Sequence, residues 1–300
     1  MKIRFAFIWI VIAVTCINQL AAQDVISLWK GMKGGCPFVT LTPYLPSEAT
    51  NRKTAVIICP GGSYCWLDTK NENSTVGKWL QKEGFAAFVL KYRTAGIPAY
   101  ATHYRLLAPR HQHPNMIQDL QRAIQWIRMH ASEYHIDAHK VGVMGFSAGG
   151  HLVLMSGTFS HTDFLSMLKI KTETSLRPDF IAAIYPVVTF SDKSLTHRRS
   201  RRGILGEWEK NKSVMQDSLS LEKHIPDDMP PVFLANCQDD PTVKYRNSVI
   251  MDSALTIKRI PHIYHQYKTG GHGFGSNPKP ETDAATWKSD FLEWIHKIGY

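Results

Sequence analysis

The sequence predicts an α/β fold with a mainly parallel central sheet, helices on both faces and small lid insertions. Short, continuous apolar runs recur along its 300 residues, and segments with helical periodicity separate several of them. A strand that is buried on both faces has this continuous apolar pattern, whereas a strand with one solvated face alternates. The sequence contains no repeat of fixed period and no low-complexity stretch, so we expect one domain.

Each predicted strand is a short apolar run, and the first ends at a Pro-Gly-Gly turn. In chain order the predicted strands are residues 55–59, 85–90, 141–144, 180–187, 232–235 and 263–267. The last is short, which makes it the candidate for an edge strand. The predicted helices are residues 75–83, 116–130, 148–156 and a helix at the end of the chain. The inner faces of the second and last helices are Ile117, Leu120, Ile124 and Ile127, and Trp287, Phe291, Trp294 and Ile298.

Residues 1–22 have the pattern of a signal peptide. A basic start precedes an apolar run over residues 5–14, and small residues precede a predicted cut after Ala22. Lipoprotein processing at Cys16 is an alternative that fits its signal less well. An uncleaved membrane anchor is also disfavoured, because the run is shorter than the ~20 residues that a spanning helix needs. We therefore expect a mature domain over residues 23–300, without an integral membrane segment and exported to the periplasm or the medium.

The chain is basic, and two stretches with many cations interrupt the alternation of strands and helices. Its formal charge of +10 falls to +8 when Lys2 and Arg4 leave with the signal peptide. The stretches are residues 95–114, rich in His and Arg, and residues 191–217, which include Arg198-Arg199-Ser200-Arg201-Arg202. Both follow predicted strands, so we expect them over the carboxyl ends of the sheet, where ligands bind. They are either solvated loops or, as we favour for whole segments of this length, lids or walls of a substrate site.

A candidate nucleophile stands between a predicted strand and a predicted helix. Gly145-Phe146-Ser147-Ala148-Gly149 fits the G-x-S-x-G nucleophile elbow, in which the serine occupies a strained strand-to-helix turn. The small flanking residues are needed because the turn packs its backbone tightly. The start of the helix also favours negative charge that develops beside Ser147. The strand-elbow-helix context makes Ser147 the predicted nucleophile.

A serine hydroxyl needs a base that takes its proton and an acid that orients the base. In folds with this elbow the order along the chain is Ser, acid, His. His272 lies in a glycine-rich loop after the last predicted strand, and is the predicted base. Asp239 and Asp240 both follow the strand over residues 232–235. We prefer Asp240 for its D-x-x-V spacing; Asp239 would then hold the loop by hydrogen bonds, with one carboxylate facing solvent.

Backbone donors for an oxyanion are expected after the first strand. Pro60-Gly61-Gly62-Ser63-Tyr64 occupies the position of an H-G-G-G loop, with proline in place of histidine and serine in place of the third glycine. The N–H groups of Gly62, Ser63 and Ala148 are the predicted oxyanion hole. The alternative is that this Gly-Gly pair forms only a turn.

These motifs together resemble the α/β-hydrolase esterases of the hormone-sensitive-lipase-like group, and most of all bacterial acetyl xylan esterases and related hemicellulose esterases. Residues 59–64 match the C-P-G-G-G-Y loop of that family, and residues 144–151 match its M-G-F-S-A-G-G-H elbow. Leu205-Gly206, residues 230–234, Asp239-Asp240 and residues 270–275 follow in the same order. The likeness runs from about residue 52 to the last residue. Departures are Ser63, Asn236, Lys244 and the 95–114 segment.

The resemblance implies an α/β-hydrolase fold and a Ser-His-Asp triad that hydrolyses ester groups, acetyl above all, on plant polysaccharides such as xylan. It also implies that no metal or organic cofactor takes part, and we expect no nucleic-acid partner. Tyr64, His103 and Phe146 are the expected substrate-binding residues. A feruloyl esterase and a serine peptidase of the same fold are alternative enzymes, and an inactive carbohydrate-binding protein is the alternative outside enzymes.

Overall fold

A computed structural model describes residues 25–32, 35–69, 72–101, 111–275 and 277–300. The predicted signal peptide over residues 1–22 lies outside the described residues, and so does His103. Among the helices of the described part, none has the length and apolar character that crossing a membrane requires.

The described residues form an eight-stranded sheet in the order β1-β2-β4-β3-β5-β6-β7-β8. The strands are β1 Ile26–Ser27, β2 Thr40–Tyr44, β3 Ala55–Cys59, β4 Ala86–Lys91, β5 Val141–Phe146, β6 Ile181–Ile184, β7 Val232–Cys237 and β8 His262–Tyr267. All neighbouring pairs from β4 to β8 are parallel, whereas β1 and β2 pair antiparallel. Every residue of β3, β5, β6 and β7 is buried, which is the reason for their continuous apolar pattern. The predicted parallel sheet is confirmed.

Helices cover both faces of the sheet. In the described part they are α1 Ser74–Lys82, α2 Ile97–Ala101, α3 Asn115–Met129, α4 Ala148–Thr158, α5 Arg198–Glu209, α6 Ser213–Ser218, α7 Arg246–Ile257 and α8 Trp287–Lys297. Side chains of β3 alternate between two cores, because successive residues of a strand point to opposite faces. Val56 and Ile58 pack in the core with α1 and α8, and Ile57 packs in the core with α3, α4 and α7.

Several elements differ from the prediction. No strand or helix was predicted where β1, β2, α2 and α7 lie, and residues 191–217, expected as a lid or a wall of the site, contain α5 and most of α6. The strand predicted over residues 180–187 ends at Ile184, because Tyr185 has a φ of +38° and Pro186 has no N–H to donate. The predicted edge strand is confirmed, since among the described strands β8 pairs only with β7. In α8 the inner face also includes Ile295, and Ile298, just after the end of the helix, packs half-buried against the same core.

The parallel strands bring distant segments to one edge of the sheet. The loop after β3, the turn after β5 and the loops after β7 and β8 all start at carboxyl ends of strands. They contain residues 60–64, Ser147, residues 239–240 and residues 270–275. The predicted site residues of these loops therefore lie at the edge where ligands bind in open parallel sheets.

Candidate active site

Ser147 occupies a sharp turn between β5 and α4. Its backbone is in the left-handed region, with φ +53° and ψ −115°, and its N–H donates to the Ile184 carbonyl over 3.0 Å. The neighbouring backbone leaves no room for side chains at the two glycines of the elbow. A Cβ on Gly145 would lie 2.1 Å from the Gly149 carbonyl oxygen, and one on Gly149 would lie 2.0 Å from the Cys59 oxygen. Steric exclusion thus explains the small residues of G-x-S-x-G.

Ser147, His272 and Asp240 form a hydrogen-bonded series. The Oγ of Ser147 is 3.0 Å from Nε2 of His272, and Nδ1 of the same ring is 2.7 Å from Oδ2 of Asp240. An ionised carboxylate only accepts, so Nδ1 carries the hydrogen and Nε2 presents its lone pair to the serine hydroxyl. The Asp240 side chain is 0% exposed. The structure brings the three predicted residues together, and leaves the serine proton directed at a basic nitrogen.

The two adjacent aspartates have different partners. The second carboxylate oxygen of Asp240 accepts from the N–H groups of Thr242 and Val243, over 2.7 and 2.9 Å. Asp239 is exposed and accepts instead from the N–H groups of Gly270 and Gly271, over 3.2 and 2.8 Å. Asp240 therefore faces His272, and Asp239 holds the loop that carries it. The D-x-x-V spacing corresponds to the turn in which Asp240 binds the Val243 amide.

The loop after β3 lies directly against the elbow. A Cβ on Gly61 would be 3.0 Å from the Cβ of Ser147. Within the described residues, the N–H groups of Gly62, Ser63 and Ala148 donate no hydrogen bond. They are thus free to donate to an anion at the elbow. Ser63 has a φ of +57°, a conformation that favours glycine, which is what the C-P-G-G-G-Y pattern has at this position.

The structure corrects the expectation that Tyr64 contacts substrate. Its side chain is 0% exposed, and its hydroxyl donates to Nδ1 of His151 over 2.8 Å. The Nε2–H of His151 donates in turn to the Leu219 carbonyl, over 3.0 Å. Burial lowers the pKa of His151 to about 4, so the ring stays neutral and can accept from Tyr64. Tyr64 therefore anchors the loop to the core through its bond to His151, and it does so with a positive φ of +60°.

The structure likewise corrects the expectation that Phe146 contacts substrate, because Phe146 is a core residue. Its ring is 0% exposed and lies 5.9 Å from the ring of Tyr185 and 6.0 Å from that of Trp287, centre to centre. As the last residue of β5, Phe146 points to the same face as Met144, in the core beneath α8. The substrate-binding role of His103 stays a prediction, because that residue lies outside the described part.

Glu72 is a buried acid beside the site, and no sequence motif indicated it. It is 4% exposed, and Oε2 accepts from the Gly61 N–H over 2.6 Å. Oε1 accepts from the Tyr185 hydroxyl over 2.7 Å, and that hydroxyl accepts from the Gly275 N–H over 3.1 Å. The Tyr185 ring lies 4.7 Å from the ring of His272. Glu72 thus connects the loop after β3 with the histidine loop. Its neighbours in the sequence are polar, which is typical of a solvated loop and gave no signal.

Glu72→Gln is expected to change the pH dependence of stability. Desolvation raises the pKa of Glu72 from 4.5 to about 7. The hydrogen bonds from Tyr185 and Gly61 lower this pKa, but by less than desolvation raises it. Between these values the folded protein holds a proton that the unfolded chain releases, so the free energy of unfolding falls as pH rises through this window. The full effect is on the order of 3 kcal/mol. Urea unfolding at pH 5 and pH 8 should show this loss in the wild type and not in Glu72→Gln. The exposed Glu48→Gln is the matched control, and an equal loss in all three proteins would contradict the assignment.

No group of three or more His, Cys, Asp or Glu side chains in the described ranges is arranged to hold a metal ion.

A family model described as BD-FAE matches residues 41–255. The chain belongs to the BD-FAE family. Among curated proteins, this BD-FAE chain is 33% identical to endo-1,4-β-xylanase B of Butyrivibrio fibrisolvens, over 78% of this chain and 34% of that protein. It is 28% identical to the acetylxylan esterase of Xylanibacter ruminicola, over 77% of this chain and 43% of that protein. The chain thus spans less than half the length of these two relatives.

Solved structures show the same fold for this BD-FAE protein. The acetyl ester-xyloside bifunctional hydrolase from Caldicellulosiruptor lactoaceticus has a TM-score of 0.77 and 28% identity, and the match covers 94% of this chain and 98% of that one. The carboxylesterase Cest-2923 from Lactobacillus plantarum WCFS1 has a TM-score of 0.69 and 21% identity, over 88% and 94% of the two chains. The fold is therefore that of the α/β-hydrolases, as the sequence predicts.

Proposed function

We propose that this BD-FAE protein is an exported serine esterase that removes acyl groups, acetyl in particular, from plant polysaccharides such as xylan. The observation that carries the proposal is the series from the Ser147 hydroxyl through His272 to a fully buried Asp240, with separations of 3.0 and 2.7 Å. A serine next to a neutral, oriented imidazole is the arrangement that acyl transfer needs. Membership of the BD-FAE family supports the same chemistry.

The first half of the reaction forms an acyl-enzyme. Nε2 of His272 takes the proton from the Ser147 hydroxyl while Oγ attacks the ester carbonyl carbon. The carbonyl oxygen becomes an oxyanion, which accepts hydrogen bonds from the N–H groups of Gly62, Ser63 and Ala148. Asp240 stabilises the imidazolium through Nδ1. The intermediate then breaks its bond to the sugar oxygen, which leaves as a hydroxyl with the proton from Nε2.

The second half releases the acid. A water molecule gives a proton to Nε2 of His272 and attacks the acyl carbon of the ester on Ser147. The same backbone N–H groups stabilise the second oxyanion. When it collapses, the bond between the acyl carbon and Oγ breaks, and Oγ recovers its proton from the imidazolium. The carboxylic acid leaves and the free enzyme is restored, so the cycle consumes one water per ester and needs no cofactor.

The proposed substrate class rests on the relatives. One curated relative is named an acetylxylan esterase, another an endo-1,4-β-xylanase, and a solved structure an acetyl ester-xyloside hydrolase. Two of these names refer to acetyl esters, and all three refer to xylan or to xylosides. We therefore expect acetate release from acetylated xylan in preference to acetylated pectin.

The test measures acetate released from acetylated xylan and acetylated pectin, with p-nitrophenyl acetate as a small ester and Ser147→Ala as the blank. Acetate from xylan that disappears in the variant is the expected result. Turnover of p-nitrophenyl acetate alone would support the serine esterase activity and reject a polysaccharide as its substrate. Faster turnover of methyl ferulate would indicate a feruloyl esterase, and cleavage of peptide p-nitroanilides without ester turnover would indicate a peptidase. Binding of xylan oligosaccharides without any turnover would indicate an inactive binding protein.

Export is proposed from the sequence pattern of residues 1–22, with a basic start, an apolar run and small residues before Gln23. The mass of the protein recovered outside the cytoplasm would test it. Removal of 22 residues is the expected result, and a mass that retains them would reject the cut after Ala22.

A further inference from the structure

A cavity of about 580 Å³ opens beside the basic segment that precedes and forms α5. Five cationic side chains line it: Lys193, Arg198, Arg201, Arg202 and Lys210. We call it the basic cavity. Its volume lies within the usual range of ligand pockets, about 300–1,000 Å³. A single inorganic ion would leave most of this volume empty, since one water occupies only about 30 Å³.

The charges of the basic cavity are poorly compensated. Glu207 pairs with Lys210 and, over 3.3 Å, with Arg202. Within the described part of the chain, Lys193, Arg198 and Arg201 form no ion pair. The Nε atom of Arg201 is buried and has no hydrogen-bond partner there. Burial, followed by the charges of Arg198 and Arg202, lowers the pKa of Arg201. The cavity thus has an excess of positive charge.

The position of these arginines on α5 further destabilises the unliganded protein. Arg198, Arg201 and Arg202 are spaced i, i+3 and i+4, so they share one helix face and repel each other. They also lie at the start of the helix, where the macrodipole disfavours cations. Both effects destabilise the unliganded protein, and a bound anion would reverse both. The arrangement is therefore suited to an anionic ligand.

The remaining lining indicates the kind of anion. Thr196, Asn211, Ser213 and Gln216 contribute hydroxyl and amide groups. Among the lining residues in the described ranges there is no acidic side chain and no large apolar one. Hydroxyls and amides hydrogen-bond the hydroxyl groups of a sugar, whereas a fatty acid or a detergent-like anion would need apolar walls. The lining therefore fits a sugar that carries a carboxylate.

Another face of α5 packs on the loop that carries two of the predicted oxyanion donors. A Cβ on Gly203 would lie 2.3 Å from the Ser63 carbonyl oxygen, so α5 packs directly on the loop that follows β3. The guanidinium of Arg199 stands 5.6 Å over the ring of Trp66, which follows the same loop. The basic cavity and the loop after β3 thus lie on different faces of one helix, which is about 10 Å across. A polymer bound at Ser147 would need only a few sugar units to reach the cavity.

We propose that the basic cavity binds the carboxylate of a uronic acid carried by the polysaccharide substrate, away from the ester that is hydrolysed. The proposal rests on the proposed polysaccharide esterase function and narrows its substrate to acidic, acetylated xylans or similar polymers. Binding of the carboxylate would act on the affinity for the polymer rather than on the chemical step.

The test is calorimetric titration with a deacetylated xylo-oligosaccharide that bears one uronic acid, and with the same oligosaccharide after enzymatic removal of that acid. We expect the wild type to bind the acidic ligand at least about tenfold more tightly, which is the scale of a charge-assisted hydrogen bond. The preference should disappear in the double variant Arg198→Gln, Arg201→Gln. It should persist in Lys212→Gln, a nearby exposed cation that pairs with Glu209 and does not line the cavity. Thermal melting shows whether the double variant is folded.

Equal binding of the two oligosaccharides by the wild type would overturn the proposal, and so would a preference that survives in the folded double variant. Titration with inorganic phosphate separates a free ion from a sugar acid. Phosphate that binds in the cavity without weakening the acidic oligosaccharide would overturn the sugar assignment. Because these ligands contain no ester, the result is independent of turnover. Absence of acetate release would reject the proposed function. Absence of acid-dependent binding would reject the proposal that the basic cavity binds a uronic acid.

Discussion

Ser147→Ala should lower kcat for p-nitrophenyl acetate by about 10⁶-fold, the scale seen when the nucleophile of a serine triad is removed. The hydroxyl is the atom that His272 faces at 3.0 Å, and nothing else at the elbow can form the acyl-enzyme. Initial rates measure the loss. Intact mass after reaction with a fluorophosphonate probe should show one adduct on the wild type and none on the variant.

Ser156→Ala is the matched control, because this serine is also buried on α4 and its hydroxyl donates to the Val153 carbonyl within the helix. We expect it to retain both the adduct and most of the rate. If Ser147→Ala kept more than a small percentage of the wild-type rate, or still took up the probe, the nucleophile would have to be sought elsewhere.

Asp240→Asn should lower kcat by about 10⁴-fold with little change in the fold. An amide can present its NH₂ group to Nδ1 of His272, which then holds the tautomer with its hydrogen on Nε2. That nitrogen can no longer accept the proton of Ser147, although the geometry is retained. The pH–rate profile and kcat of the variant, measured on the same ester, test this.

Asp239→Asn is an internal control for Asp240→Asn, one residue away. It weakens the hydrogen bonds to Gly270 and Gly271 and leaves the acceptor of His272 in place. We expect a far smaller loss of kcat, with a lower midpoint of thermal unfolding. Equal losses in the two variants would show that holding the loop, and not orienting the imidazole, limits the reaction.

Local chemistry explains why the elbow and the acid could be predicted from the sequence. Glycines 145 and 149 are dictated by contacts near 2 Å with neighbouring backbone, so the pattern appears in five consecutive residues. Asp240 is identified by a turn of four residues, in which it accepts a hydrogen bond from the Val243 amide. Each feature depends on a short segment and on steric or hydrogen-bonding rules that hold in any chain.

The misassigned and missed residues depend on contacts that are distant in the sequence. Glu72 joins Gly61, 11 residues away, to Tyr185, 113 residues away, and nothing local marks it as buried. Tyr64 is expected at the substrate, but its buried hydroxyl binds His151, which is 87 residues away, and nothing local indicates that contact. Phe146 could have been assigned correctly, since its alternation with Met144 along β5 points it to the core.

The hydrogen bond between Ser147 and His272 joins residues that are 125 positions apart in the chain. Contacts of such high sequence separation form late, because the entropy of closing the intervening chain must be overcome before they contribute. On the proposed mechanism, activity therefore requires β5, β7 and β8 to be assembled in order, and a chain still being synthesised is inert until the loop over residues 270–275 has emerged. Recovery of ester hydrolysis after dilution from denaturant thus reports completion of the whole sheet, while far-UV dichroism reports the earlier formation of helices.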